Sequence, residues 1–202
     1  MSSSPPFINV RKQPRQARSS ATVETILEAS ARILETRGLA AFTTNAVAER
    51  AGVSVGSLYQ YFPTKEAILT WLIRRKREAL IAALESERAR ADHRGLKCMV
   101  DGFVHAALVH QLERPGLSRS LEYAEATLPI NAETEVLKRS IIVIVAEALS
   151  MHGIAEPQTS ARDLAALTRG MADAGGLFGE TDLASLEQRI RRAVYGYLGL
   201  GA

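Results

Sequence analysis

The chain has 202 residues, 47% of them hydrophobic, with 25 basic and 22 acidic groups and a net charge of +3. That length admits one domain or two small ones with a real core, and no uninterrupted apolar run approaches the roughly 18 residues that would cross a bilayer. A single cysteine, Cys98, excludes an intramolecular disulfide and offers no metal-ligand spacing, which suits a reduced cytoplasmic setting.

Charge is unevenly placed. Residues 1–20 carry Arg11, Lys12, Arg15 and Arg18 and no acid, hence +4; residues 21–75 carry six basic and five acidic groups; the remainder carries fifteen and seventeen, hence −2. A basic end attracts phosphate, and this sequence-independent attraction supplies much of non-specific nucleic-acid affinity. A solvated tail without a partner fits the same charges. The basic start is followed by no apolar segment and so is not read as a secretory signal.

In chain order, residues 1–19 are rich in proline and serine and lack periodicity, which predicts a disordered arm. A first helix is expected from about Thr22 to Arg37. Its Val23, Ile26, Leu27, Ser30, Ile33 and Leu34 recur at three- and four-residue spacing, and Gly38 ends it. Leu39 and Phe42 then plug a small core.

The run from Thr43 to Lys65 reads TTNAVAERAGVSVGSLYQYFPTK. Thr44 can cap a second helix over Asn45 to Ala51. Gly52 supplies a sharp turn. Ser54 can cap a third helix, Val55 to Tyr61, which Pro63 breaks, and Thr64 can cap a fourth. Two short helices around a tight turn form a helix-turn-helix, whose second helix is placed to enter the DNA major groove.

The fourth helix is predicted from about Lys65 to Arg90. It has no internal Gly or Pro and is rich in strong helix formers. Asp92 to Gly95 is a break, and a fifth helix follows from Leu96 to Glu113, terminated by Pro115-Gly116. A sixth is expected over Leu117 to Thr127, a seventh over Ala132 to Met151, and a loop over Gly153 to Pro157. Ser160 with Asp163 reads as a capping box opening an eighth, to about Ala174. Asp182 can cap a ninth over Leu183 to Leu198. No alternating strand pattern, internal repeat or heptad run is found. The fold class is therefore all-α. The expected organisation is a basic arm over 1–19, a helix-turn-helix domain over 20–68, and a larger helical domain over 69–202 for ligand binding and dimerisation.

The stretch from the first helix to Leu69 resembles the amino-terminal DNA-binding domain of TetR-type transcriptional regulators. The matching residues include Ile26, Ala29, Leu34, Gly38, Phe42, Thr43, Thr44, Val47, Ala48, Ala51, Gly52, Val53, Ser54, Gly56, Leu58, Tyr59, Tyr61, Phe62, Lys65 and Glu66. The motif covers about a quarter of the chain; the remainder resembles the family only in length and helicity. The resemblance implies a DNA-binding regulator with no enzymatic activity, no cofactor and no membrane association.

Leu58 and Phe62, four apart, should face inward. Val55, Gly56, Ser57, Tyr59, Gln60 and Tyr61 then lie on or near the outer face. Gln60 can pair with adenine N6 and N7 together, and Val55 can meet a thymine methyl. Ser57 can bond a base or phosphate, and Gly56 lets backbone approach closely. The resemblance implies phosphate contacts from Tyr59, Tyr61 and Lys65, and Thr43 and Thr44 place the positive end of the second helix near the backbone. Tyr59 or Tyr61 can equally pack on the first helix, and Gln60 can be merely solvated. The third helix holds no Arg or Lys, so specificity would need two subunits.

Two reading heads imply a homodimer on a palindromic operator, with half-sites about 34–36 Å apart. Leu164, Leu167 and Met171 on the eighth helix, and Leu186, Ile190, Val194 and Tyr197 on the ninth, form stripes suited to a four-helix dimer bundle like the family's. The same spacing would also close the chain's own core. Trp71, Met99, Phe103, His110, Tyr123 and Met151 are candidates to line a small-molecule pocket, with His105, His152 and Phe178 nearby in sequence. Core packing explains the Met and aromatic positions as well. His105 and His110, five apart, are a poor metal pair. A ligand that shifted the long fourth helix would change the spacing of two heads and so oppose DNA binding. An enzyme finds no support: there is no phosphate-binding loop, nucleophile elbow or metal-ligand spacing. A non-specific structural DNA-binding protein and a helical small-molecule carrier remain as alternatives.

Overall fold

The computed structural model describes residues 17–91 and 95–201. Nine α-helices and no strand occur among the described residues: α1 (Ala17–Arg37), α2 (Thr44–Ala51), α3 (Val55–Tyr61), α4 (Lys65–Ala91), α5 (Leu96–Leu112), α6 (Pro115–Glu125), α7 (Asn131–Met151), α8 (Pro157–Leu177) and α9 (Leu183–Leu198). The expected all-α class holds. No described helix is long and apolar enough to cross a membrane.

The chain forms two compact units. The first lies within Met1–Lys76 and Arg114–Glu133, and so includes α1 to α3, the start of α4 and all of α6. Its core is one cluster containing Ile26, Leu27, Ile33 and Leu34 of α1, Phe42, Val47 of α2, Leu58 of α3, Phe62, Ile68 of α4 and Leu121 of α6. Each large apolar side chain removed from water contributes about 1.5–3 kcal/mol. Helix α6 docks closely on α1. Ser120 Oγ donates to the Leu34 carbonyl at 2.9 Å, and Arg114 reaches both Glu35 (2.7 Å) and Glu28 (3.2 Å). Gly116 makes that approach possible, because a Cβ there would lie 2.5 Å from the Glu35 carbonyl oxygen. A bidentate pair between Arg74 and Glu133, at 2.7 and 2.9 Å, closes the same unit.

The second unit comprises Arg77–Glu113 and Thr134–Ala202. Its core gathers Leu84 of α4, Met99, Phe103 and Leu108 of α5, Ile144 and Leu149 of α7, Leu164 of α8, and Leu186, Ile190 and Val194 of α9. Helices α5, α8 and α9 pack on one another. Gly175 sits where α8 meets Leu186: an added Cβ would fall 2.6 Å from the Leu186 Cδ2. Across α5 and α9, the Tyr195 hydroxyl donates to Asp101. Burial foremost, and then the Asp101 carboxylate, push the Tyr195 pKa up to about 12.

Several boundaries differ from the sequence expectations, each for a local reason. Helix α1 begins at Ala17, so residues 17–19 are helical; residues 1–16, with Arg11, Lys12 and Arg15, lie outside the described residues. Helix α6 begins at Pro115 and α8 at Pro157. The sequence expectation treats both prolines as breaks, yet both occupy the first helical turn, where a missing N–H costs nothing. The expected Ser160–Asp163 capping box is absent, because Ser160 is already inside α8 with its N–H bonded to the Glu156 carbonyl at 2.9 Å. Helix α8 also runs through Gly175-Gly176 to Leu177.

Candidate nucleic-acid interface

The segment from Thr43 to Tyr61 forms the expected pair of short helices, held by side-chain caps at both starts. Thr43, with φ −124° and ψ 154°, caps α2 by accepting from the Ala46 N–H at 3.1 Å. The cap is thus Thr43, one residue earlier than expected, and Thr44 is the first helical residue. Either threonine could cap by chemistry alone; the extended backbone at Thr43 decides it. At the other end, Gly52 adopts φ 65°, ψ 31°. The Gly52 N–H bonds the Glu49 carbonyl (3.1 Å) and the Val53 N–H the Ala48 carbonyl (3.0 Å), a left-handed glycine cap that reverses the chain. Ser54 then caps α3 by accepting from the Ser57 N–H at 3.0 Å.

Leu58 and Phe62 are fully buried, as the four-residue spacing predicts. Their burial fixes which side of α3 faces outward. Val55 (36%) and Tyr59 (41%) are exposed, as are Gly56 and Gln60, whereas Ser57 and Tyr61 are half-buried. Tyr61 packs against the first core. The Tyr59 hydroxyl lies 3.2 Å from Thr44 Oγ1, tying α3 to the start of α2. The Ser57 hydroxyl lies 2.8 Å from Ser54 Oγ and belongs to the cap. Lys65 is exposed at the start of α4, where Thr64 Oγ1 accepts from the Ala67 N–H at 3.1 Å. Nine proposed contacts, Thr43 to Lys65, therefore sit on one stretch of the first unit, with two hydroxyl pairs not foreseen from sequence. Arg18 falls in the first turn of α1, its side chain outside the described residues.

Two cations of the same unit escaped the sequence reading. Arg37 and Arg50 are exposed in the last turns of α1 and α2. Neither has an acid three or four residues away, whereas Arg32 is paired with Glu28 at 2.7 Å and Arg75 with Glu24 at 2.5 Å.

The candidate pocket residues are dispersed. Trp71 belongs to the first unit, packed against its core under the Arg75 guanidinium at 5.5 Å, and Tyr123 of that unit is 69% exposed. In the second unit Met99 and Phe103 are core residues, His110 is half-buried, and Met151 is 51% exposed. His105 Nδ1 sits 3.3 Å from Glu187. The α8 and α9 stripes point mostly inward: Leu164, Leu186, Ile190 and Val194 are buried in the second core, and Leu167 and Met171 pack against it. Of the seven candidates for a dimer surface, Tyr197 is exposed, its hydroxyl donating to Asp163 at 2.7 Å. Helical spacing identifies an apolar face but not what covers it, and here the chain covers its own.

Residues 26–70 match a family model described as bacterial regulatory proteins, tetR family. The chain is 34% identical over 99 residues to the nucleoid occlusion factor SlmA of Vibrio campbellii, covering 48% of this chain and 50% of that protein. It is 33% identical over 106 residues to the HTH-type transcriptional repressor KstR of Mycolicibacterium smegmatis, covering 50% and 51%. The chain spans about half the length of the curated relatives it matches. Among solved structures it resembles a TetR transcription regulator from Haloarcula marismortui, with a TM-score of 0.72, 18% identity, and 89% and 97% of the two chains covered. That likeness extends the fold beyond the motif to both units. The helix-turn-helix segment, capped at Thr43 and Ser54 and turned by the left-handed Gly52, lies within the stretch that matches the tetR-family model, and the chain as a whole has the fold of solved TetR-family regulators.

Proposed function

We propose that this chain is a sequence-specific DNA-binding regulator of transcription, acting as a repressor that grips a palindromic operator as a homodimer and answers to a small molecule. The observation that carries it is the doubly capped α2–Gly52–α3 unit, with Leu58 and Phe62 buried and Val55, Gly56, Tyr59 and Gln60 turned outward. In this reading α3 enters the major groove. Thr43, the linked Thr44 and Tyr59 hydroxyls, Tyr61 and Lys65 hold phosphates, and Arg11, Lys12, Arg15 and Arg18 add a basic arm. Phosphate contacts fix register, and base contacts choose the sequence.

The homodimer is the economical way for an uncharged reading helix to gain specificity. Its surface would use outward residues of α8 and α9, Tyr197 and the exposed Leu177 and Leu183 among them, rather than the stripes that close the second core. The effector site is assigned to the second unit, where Met99, Phe103, His110 and Met151 lie. Its ligand would work through a coupling free energy with DNA.

A second reading has support from the likeness to a protein named a nucleoid occlusion factor: binding along the nucleoid with a role other than repression. Selection of bound duplexes from a random pool at near-physiological salt separates sequence-specific binding from none. A recovered palindrome supports the regulator; enrichment of nothing, with binding that vanishes as salt rises, contradicts it. A palindrome whose genomic copies lie away from promoters favours the second reading.

A further inference from the structure

Three observations on α3 bear on what its outer face can read. The first is which polar groups are already committed. The Ser57 hydroxyl is paired with Ser54 at 2.8 Å and the Tyr59 hydroxyl with Thr44 at 3.2 Å. Tyr61 is half-buried against the first core. Gln60 is left as the exposed polar side chain of α3 with no partner among the described residues.

The second observation is a gap. Gly56 is exposed in α3, and its φ is not in the left-handed range. A Cβ there would meet one atom, Ser54 Oγ, at 3.9 Å, an ordinary contact. Glycine weakens a helix relative to alanine, so the protein itself gives no reason for the missing methyl. The third is position. Gly56 and Gln60 are four apart and share one face, and side chains lean toward the helix N-terminus. The Gln60 amide therefore leans over the turn that contains the gap, beside the exposed methyls of Val55.

We infer that α3 is built to read A·T pairs, the Gln60 amide pairing with an adenine edge while the Gly56 gap, flanked by Val55, admits the methyl group of a neighbouring thymine. The chemistry fits. A side-chain amide both donates and accepts, matching adenine N6 and N7, and thymine presents the C5 methyl in the major groove. A guanine edge, two acceptors, calls for the paired donors of Arg or Lys, which α3 lacks. The empty Cβ position lets backbone and base edge come closer than any other residue would allow.

This inference rests on the DNA-binding reading above, and the test separates the two. Wild type, Gln60→Ala and Gly56→Ala are each used in selection from random duplexes, with thermal unfolding as the check on folding. The wild type should enrich a half-site with an A·T pair at which Gln60→Ala loses preference about tenfold or more, other positions keeping theirs. Replacing a neighbouring thymine by uracil, which lacks the methyl, should weaken wild-type binding about fivefold. Gly56→Ala should melt at or slightly above the wild-type temperature and lose about tenfold in affinity. A Gln60→Ala profile identical to wild type at every position, or a Gln60-dependent preference for G·C, overturns the adenine assignment while leaving a sequence-specific DNA binder. Full affinity in Gly56→Ala together with indifference to uracil overturns the methyl gap. A wild type that enriches no sequence removes the DNA-reading premise itself, and this inference with it.

Discussion

The two units are built from the same helical material but differ in what fixes them. In the first, short-range devices do much of the work: the Thr43 and Ser54 caps, the left-handed Gly52, and the Leu58–Phe62 pair one turn apart. The caps and the glycine act within a few residues, and the Leu58–Phe62 pair then seats α3 against the core shared with α1, α4 and α6. In the second, α5, α7, α8 and α9 are placed by apolar faces meeting across long sequence separations, as Gly175 against Leu186 and Tyr195 against Asp101 illustrate. In the proposed reading, the first arrangement suits presenting one helix to a groove, and the second is where an effector would bind.

The largest effects should come from the two cores. Phe62→Ala should cost about 3–5 kcal/mol and Ile190→Ala about 2–5 kcal/mol, since both are fully buried. Chemical denaturation followed at two protein concentrations sharpens the contrast. If Ile190 belongs to the chain's own core, the loss is the same at both concentrations; a loss that vanishes at high concentration would place it at a subunit interface instead.

Next come the close approaches. Gly116→Ala forces α6 away from the Glu35 backbone oxygen and should cost about 2 kcal/mol in thermal unfolding. Gly56→Ala, in open space, should cost nothing. Equal destabilisation by both would break the account of why each glycine is there. Thr43→Ala should follow at about 1 kcal/mol, the usual worth of a helix cap. Thr44→Ala should cost less, because Thr43 holds the cap; the reverse order would restore the sequence-based assignment.

Smaller effects should attend the charges. The Arg114 guanidinium, foremost by hydrogen bonding, holds Glu35 below its ordinary 4.5, while Arg32 leads in doing so for Glu28. A lowered carboxylate pKa stabilises the fold fully above the ordinary value and ceases to as pH falls through the depressed one. Stability of the first unit should therefore drop below about pH 4.5, and Arg114→Ala, costing about 1 kcal/mol or less at neutral pH, should flatten that drop. An unchanged acid profile in the variant would show that the bridge contributes nothing. Lys65→Ala should leave stability unchanged and lower the salt slope of DNA binding by about one.

How far the sequence could be read follows the same division. Gly52, Ser54, Leu58 and Phe62 were legible because caps, positive φ and a one-turn spacing are local. The Thr43–Thr44 ambiguity arose because two adjacent hydroxyls meet the same chemical requirement. Pro115 and Pro157 misled because proline both ends and begins helices, and only the flanking backbone decides. The Arg114 bridge to Glu28 and Glu35 joins residues 86 and 79 apart, beyond any periodicity. The α8 and α9 stripes were visible as apolar faces, but what they pack against is a tertiary fact. For the same reason the exposure of Tyr123 and Met151 is not legible in the sequence.

The most direct test of the central claim compares affinity for the selected palindrome with affinity for a scrambled duplex of equal length, across a range of salt. If α3 reads bases while Lys65 and its neighbours hold phosphates, the palindrome should bind at least about 10³-fold tighter at physiological salt, with that ratio surviving as both affinities fall together. A ratio near one at every salt concentration would contradict it, leaving a protein that binds DNA by charge alone.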